Sequence, residues 1–437
     1  MNFGNMLLNF DISQTWVYIV VACASLLLTG VVLFFPGKIK LPKRLWTAAL
    51  GLFAGALVGG VLTWYVTIVN NTFGQPLEGN ALAWILICFA GIGLVLSQIL
   101  IQGFSRAGIG AGAVVALAVM GTVGVNGSYG LTPTVGELLH IVSGNVVNLP
   151  PVTANSASTP DLSSWQPPAN MPKVGRQGLI PNGIPNTNSQ FPARPASVYF
   201  PPAALTEHPP KLPFMVFMMG QPGDPDPREI TAALNKAQAG NHGLAPITVI
   251  VDQLGDPMQD PLCIDSSMGN VETYIMKDVV SWALSHLNIE ADPAHWTVGG
   301  FSNGATCAMS LATKYPERWA NVLSMIGTEY AGFSNETNVI QSIFGGSAAA
   351  FDAIKPETIM TTRHYPDSNA YLSSAGKDGT YGPGQLALAE HAKDAGIHVD
   401  YIDFPNLGHT DAALESSLSW ALPLLYERLG ISRAPLR

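Results

Sequence analysis

A serine with glycines two residues away on either side stands in Gly300-Phe301-Ser302-Asn303-Gly304. The run before it, His295–Val298, reads as a strand, and the run after it, from about Gly304 to Lys314, as a helix stopped at Tyr315-Pro316. A sharp strand-to-helix turn lifts a serine hydroxyl clear of the sheet edge. The glycines make room for that turn, and the helix N-terminus favours the negative charge that develops when the hydroxyl attacks a carbonyl. The same letters would suit a Gly-rich turn with an N-capping serine, but the placement between strand and helix favours Ser302 as a nucleophile for acyl chemistry.

A serine alcohol needs a base, and the base needs an orienting acid. Four histidines follow Ser302. His391 falls inside a helical run, His398 opens a strand, and His364 lies in a long loop. His409, in Asn406-Leu407-Gly408-His409, comes directly after the last strand and before the last helix, which is where the base of such a site belongs. The acid should follow the preceding strand. Asp378, in Gly376-Lys377-Asp378-Gly379, stands there, although Asp-Gly is also an ordinary turn pair; Glu329 is the reserve. Two backbone donors must hold the oxyanion. The N–H of Asn303 is one, and the Gly220-Gln221-Pro222-Gly223 loop supplies the other, assigned to Gln221 because Pro222 has no N–H.

The elements that position these residues alternate between strand and helix from Val174 onward, the pattern of a mostly parallel sheet with crossover helices. Strands are predicted at Ala196–Phe200, Phe214–Met219, Ile247–Val251, Asn321–Ile326, Ala370–Ser374 and Val399–Phe404 besides the one before Ser302. Helices are predicted at Val271–Leu287, Gln385–Ala395 and Ala412–Leu429. Ala331–Asn369, with Phe333, Phe344 and Phe351, is expected to form a lid and acyl pocket.

The first third is of another kind. Trp16–Phe35, Trp46–Val69, Ala81–Ile101 and Ala107–Val125 are apolar runs long enough to cross a bilayer as helices. None of these runs contains Lys, Arg, Asp, Glu or His, which favours an anchor over an ion or substrate pathway. Lys38, Lys40, Lys43 and Arg44 lie between the first two runs and Arg106 between the last two, whereas Asn70–Asn80 has only Glu78. By the positive-inside rule the N-terminus and the C-terminal part are therefore extracytoplasmic. Residues 1–130 form the four-span anchor, 131–172 a Pro/Ser/Asn-rich linker or surface wrap, and 173–437 the second domain.

Hydrophobic residues make up 48% and charged residues 12% of the chain, about half the charged fraction usual in soluble domains. The net charge of −9 argues against nucleic acid as a partner. Cys23 and Cys88 lie in apolar runs. Cys263 and Cys307 have no metal-type spacing and are free to pair or not. No zinc motif is present, and neither metal nor cofactor is expected.

With these residues in place, the stretch from about Ser197 to Leu429 resembles the esterase D-like family of α/β-hydrolases, which takes in feruloyl esterases and the mycolyltransferases of actinobacterial envelopes. The resemblance is carried by the serine motif, with Gly220-Gln221-Pro222-Gly223, Val271-Glu272-Thr273-Tyr274, Tyr315-Pro316-Glu317-Arg318, Gly376-Lys377-Asp378-Gly379 and Gly408-His409 in support. It implies an α/β-hydrolase fold and cofactor-free acyl-ester chemistry. Asn303-Gly304-Ala305 departs from the Met-Gly-Gly frequent in that family, so the substrate does not carry over. Four spans followed by such a domain look like membrane-bound esterases of high-GC Gram-positive bacteria. The expectation is a serine esterase or acyltransferase at the cell envelope, acting on an acyl ester or lipid with water or a sugar or polysaccharide hydroxyl as acceptor. The alternatives are a catalytically silent tethered binding module and a lipid transport protein with an accessory domain.

Overall fold

The computed structural model describes residues 3–8, 10–34, 39–69, 77, 79–102, 107–129, 134–139, 145–150, 152, 162–257, 259–379 and 381–432. Lys38, Glu78 and Arg106, used above to orient the spans, lie outside them. The chain divides into two compact units, Met1–Ser143 and Gly144–Arg437.

The first unit holds four helices long and apolar enough to cross a membrane: α1 (Thr15–Phe34), α2 (Leu41–Trp64, continued by a π-helical turn at Tyr65–Val69), α3 (Gly79–Gln102) and α4 (Ala107–Tyr129). Helices α2 and α3 approach through small residues. Gly51, Gly55 and Gly59 share one face of α2 by their four-residue spacing. A Cβ on Gly55 would meet the Phe89 carbonyl oxygen at 2.1 Å, and one on Gly93 would meet the Gly51 carbonyl oxygen at 2.2 Å. Dispersion and close backbone contact hold such a pair where lipid removes the hydrophobic driving force.

The second helix begins before its apolar run, Trp46–Val69. It starts at Leu41, with Pro42 in its first turn, and so includes Lys43 and Arg44. Proline is pre-organised for that position, so the helix begins before the apolar run does. Arg44 is buried, and its guanidinium donates to the Leu33 carbonyl of α1. The fully buried Gln98 of α3 donates to the Arg44 carbonyl at 3.1 Å.

The second unit is built on an eight-stranded sheet: β1 (Arg176–Leu179), β2 (Ser197–Phe200), β3 (Phe214–Met218), β4 (Ile247–Val251), β5 (Trp296–Phe301), β6 (Asn321–Met325), β7 (Asn369–Ala375) and β8 (His398–Phe404). Their order across the sheet is β1-β2-β4-β3-β5-β6-β7-β8, the arrangement of the α/β-hydrolase fold. Strand β2 runs antiparallel to both its neighbours and the other pairings are parallel. Strands β3, β4 and β5 are buried at every position, so they read as continuous apolar runs rather than alternating ones. Strand β1 escapes sequence reading because Arg-Gln-Gly-Leu has neither β-branched residues nor alternation.

Helices α5 (Arg228–Ala239), α6 (Asn303–Lys314), α7 (Gly382–Asp394) and α8 (Asp411–Arg428) accompany the sheet. Helix α6 packs on β3, β5 and β6, α7 on β7 and β8, and α5 and α8 on each other. The predicted helix at Val271–Leu287 is interrupted by a π-helical stretch, Tyr274–Val279, between Val271–Thr273 and Val280–His286. Ala331–Asn369 carries three short helices, Glu336–Ser342, Ala348–Asp352 and Pro356–Met360. Part of it forms a small apolar cluster of Leu262, Ala331, Val339 and Phe351.

The stretch 131–172 is divided rather than a linker throughout. Val135–Leu138 is a helical turn of the first unit. Val147 and Leu162 are buried in the core of the second, and Trp165 Nε1 donates to the His242 carbonyl at 3.2 Å. Residues 153–161 lie outside the described ones.

Candidate active site

Ser302 occupies the turn between β5 and α6 with φ 56° and ψ −120°, a conformation that strains any residue with a Cβ. Its surroundings hold it there. Ser302 N–H donates to the Met325 carbonyl at 3.0 Å, and the Ser302 carbonyl accepts from the amides of Ala305 and Thr306 at 3.0 and 3.1 Å. The flanking glycines are required by close approach. A Cβ on Gly300 would meet Gly304 C at 2.3 Å, and one on Gly304 would meet the Met218 carbonyl oxygen at 2.2 Å.

Three loops bring Ser302, His409 and Asp378 into one hydrogen-bonded chain. His409 Nε2 lies 2.7 Å from Ser302 Oγ, and His409 Nδ1 lies 2.6 Å from Asp378 Oδ2. The Asp378 side chain is 4% exposed and that of His409 14%, so bulk water competes little for either bond. Asp378 Oδ1 accepts from Tyr381 N–H at 3.2 Å, which fixes the carboxylate plane. The imidazole is flanked by Phe301 and Tyr381, with ring centroids 5.2 and 5.3 Å away. Burial raises the Tyr381 phenol above its ordinary value, and its hydroxyl lies 3.3 Å from Ser334 Oγ. This places the start of the expected lid beside the site. Glu329, the reserve acid, sits instead against Gly384 at the start of α7.

Asn303 is the first residue of α6, so its N–H points out of a helix N-terminus beside Ser302. The loop carrying Gln221 lies against the same serine: a Cβ on Gly220 would be 3.2 Å from Ser302 Cβ and 3.6 Å from Oγ. Asn303, which follows Ser302 directly, and Gly220, which precedes Gln221, therefore flank Ser302.

The cysteine pairing left open by the sequence is made, and other neighbours of the site carried no motif. Cys263 and Cys307 form a disulfide with Cα atoms 5.4 Å apart, tying the loop after β4 to α6. In that loop Asp260 accepts from Leu262 N–H at 3.0 Å, and also bonds Asn303 and the Gly332 amide; burial pushes its carboxyl up and these bonds oppose the rise. Gln253 and Asp252 directly follow β4, and Arg194 pairs with Asp252. The available signal was position, since the carboxyl ends of sheet strands are where α/β sites collect. Asp411, two residues after His409, is pushed up to about 7, first by burial and then by Glu229, against the opposing effect of Arg228. Among the described residues no cluster of His, Cys, Asp and Glu is placed to hold a metal ion.

No family model matches the chain. An uncharacterized protein of Corynebacterium glutamicum is 29% identical over 334 residues, which cover 74% of this chain and 76% of that protein. Among solved structures, an S-formylglutathione hydrolase from Agrobacterium tumefaciens is 16% identical, with 60% of this chain and 98% of that one covered and a TM-score of 0.49. A CE1 ferulic acid esterase from Anaeromyces mucronatus is 11% identical over 66% of this chain and 99% of its own, with a TM-score of 0.43. MPT51 of Mycobacterium tuberculosis is 14% identical over 56% and 97%, with a TM-score of 0.42.

Proposed function

We propose that this chain is a membrane-anchored serine esterase or acyltransferase that acts on acyl esters at the outer side of the membrane. The observation that carries the reading is the chain of short hydrogen bonds from Asp378 through His409 to Ser302, seated on a strained strand-to-helix turn. Ser302 Oγ attacks the ester carbonyl while its proton passes to His409 Nε2. Asp378 holds the imidazole in the tautomer with its proton on Nδ1 and stabilises the imidazolium. The Asn303 and Gln221 amides receive the oxyanion. Collapse breaks the bond to the leaving alkoxide, which takes the proton from Nε2 and leaves an acyl-serine. Water or an alcohol then attacks the acyl-serine by the same proton path in reverse.

The anchoring part of the reading is supported by four helices long and apolar enough to span a membrane. The outward orientation is supported by the Cys263–Cys307 disulfide, since such bonds persist in oxidising compartments. A sugar or polysaccharide hydroxyl is the proposed acceptor where transfer outruns hydrolysis.

The test is labelling of the detergent-solubilised full chain with a fluorophosphonate, in wild type, Ser302→Ala and His409→Ala. The wild type should label, Ser302→Ala not at all, and His409→Ala at a rate lower by at least about 10³-fold. A folded wild type that never labels overturns the enzymatic reading and leaves the tethered binding module.

A further inference from the structure

The loop that carries Gln221 runs Gly220-Gln221-Pro222-Gly223-Asp224-Pro225-Asp226-Pro227 and belongs to no helix or strand. Its three prolines cannot donate backbone hydrogen bonds. An oxyanion donor on such a loop is held in place only if other elements hold the loop. Two residues at the end of β4 do so from two directions.

Gln253 is 2% exposed, and both hydrogens of its side-chain amide are used. Nε2 donates to the Met219 carbonyl at 2.6 Å and to Asn303 Oδ1 at 3.0 Å. The orientation follows from the network: a backbone carbonyl can only accept, and Asn303 gives its own amide to the Asp260 carboxylate. Met219 lies two residues before Gln221, and Asn303 is itself the other donor-bearing residue. One buried side chain thus bridges the two backbone segments that must converge on a single oxygen. The Met219 carbonyl also accepts from Gly304 N–H at 3.1 Å, so the bridge and the helix N-terminus meet at one atom.

Asp252 anchors the far side of the loop. It is 1% exposed and takes Arg194 in a two-point pair at 2.7 and 3.0 Å, and the same guanidinium donates to the Gly223 carbonyl at 2.9 Å. Arg194 also pairs with Asp224. The Gln221 peptide is therefore gripped two residues before it through Gln253 and two residues after it through Arg194.

We infer that Gln253 is a positioning residue that sets the separation of the Gln221 and Asn303 amides, with the Arg194–Asp252 pair as its counterpart on the other flank. This inference rests on the reaction proposed at Ser302. Its particular consequence is that loss of the bridge weakens binding of the tetrahedral oxyanion more than binding of the ester, because the donors are aimed at the former.

The experiment uses the detergent-solubilised full chain, a p-nitrophenyl ester and a trifluoromethyl ketone, which adds to the serine as a tetrahedral oxyanion. Gln253→Leu keeps the side-chain volume and removes both donors. Its kcat should fall about 10²-fold, the scale of a donor misplaced by about 1 Å, with KM within about threefold of wild type. Ketone affinity should fall by a factor similar to that in kcat/KM. Asn303→Ala keeps the backbone donor and removes the acceptor of the bridge, together with the amide given to Asp260. The effects in the Gln253→Leu/Asn303→Ala double variant should fall short of the product of the single effects, because both changes break the shared Gln253–Asn303 link. A folded Gln253→Leu with kcat and ketone affinity within about threefold of wild type overturns the inference. Strictly multiplicative effects in the double variant overturn it too. Should Gln253→Leu fail to fold, Gln253→Glu decides by the same two constants. A wild type that neither labels nor hydrolyses sinks the reaction at Ser302, a result separate from any of these.

Discussion

Asp378→Asn tests the arrangement at its least replaceable point. Asp378 uses its two oxygens differently: Oδ1 accepts from Tyr381 N–H at 3.2 Å, and Oδ2 faces His409 Nδ1 at 2.6 Å. An asparagine must keep its carbonyl oxygen toward Tyr381, since turning the amide over would set an NH₂ group against that N–H. Its NH₂ then faces Nδ1, which can only accept, so the imidazole proton moves to Nε2 and points at Ser302 Oγ across the 2.7 Å bond. The hydroxyl loses its proton acceptor while every heavy atom stays in place. The same change of tautomer in serine proteases lowers kcat about 10⁴-fold, equivalent to about 5.5 kcal/mol of transition-state stabilisation. The assay is p-nitrophenyl ester hydrolysis by the full chain at pH 7.5, with the fluorophosphonate labelling rate as a second readout and thermal unfolding as a check on folding. We expect kcat and the labelling rate to fall together by about 10³- to 10⁴-fold with unfolding little changed. A variant within tenfold of wild type on both readouts would refute the assignment of Asp378, and Glu329 would be the next acid to change.

Two further outcomes concern stability. Asp411 carries a folded-state pKa of about 7 against an ordinary 3.8, so the folded chain holds that proton more tightly than the unfolded chain. Its contribution to stability is therefore lost as pH rises from about 4 to 7. The full shift would correspond to about 4 kcal/mol, and solvent screening of this half-buried carboxyl reduces it to about 1–2 kcal/mol. Asp411→Asn should accordingly raise stability relative to wild type more at pH 8 than at pH 5, read by denaturant titration at the two pH values; equal differences would count against the burial assigned to it. The Cys263–Cys307 bond closes a loop with a sequence separation of 44, worth about 4 kcal/mol by the chain-entropy relation. Cys263→Ser/Cys307→Ser should lower the thermal midpoint of the second unit by several degrees, and should slow labelling because the Asp260 loop loses its tie to α6. An unchanged midpoint would argue that the loop is held without the bond.

Much of the site was legible because it is local or ordered along the chain. Gly300 to Gly304 specify a turn by steric demand alone, and Ser302, Asp378 and His409 follow the ends of β5, β7 and β8 in chain order, which the sequence reveals. The four apolar runs were legible by length. Helix starts were less so: α2 begins at Leu41, with Pro42 in its first turn, and so takes in Lys43 and Arg44, whose polarity had marked the end of the run. Strand β1 and the burial of Val147 and Leu162 were out of reach, because both are created by packing partners distant in sequence.

The sequence by itself therefore determined which residue types could react and the order in which the chain presents them. Only the tertiary structure decided that Cys263 and Cys307 are joined, that Asp378 rather than Glu329 faces His409, and that Gln253 links Met219 to Asn303. The physical reason is common to all three. Each is a contact between segments far apart in sequence, fixed by how the strands of one sheet are ordered in space, and no periodicity or spacing along a chain encodes the distance between two strand ends.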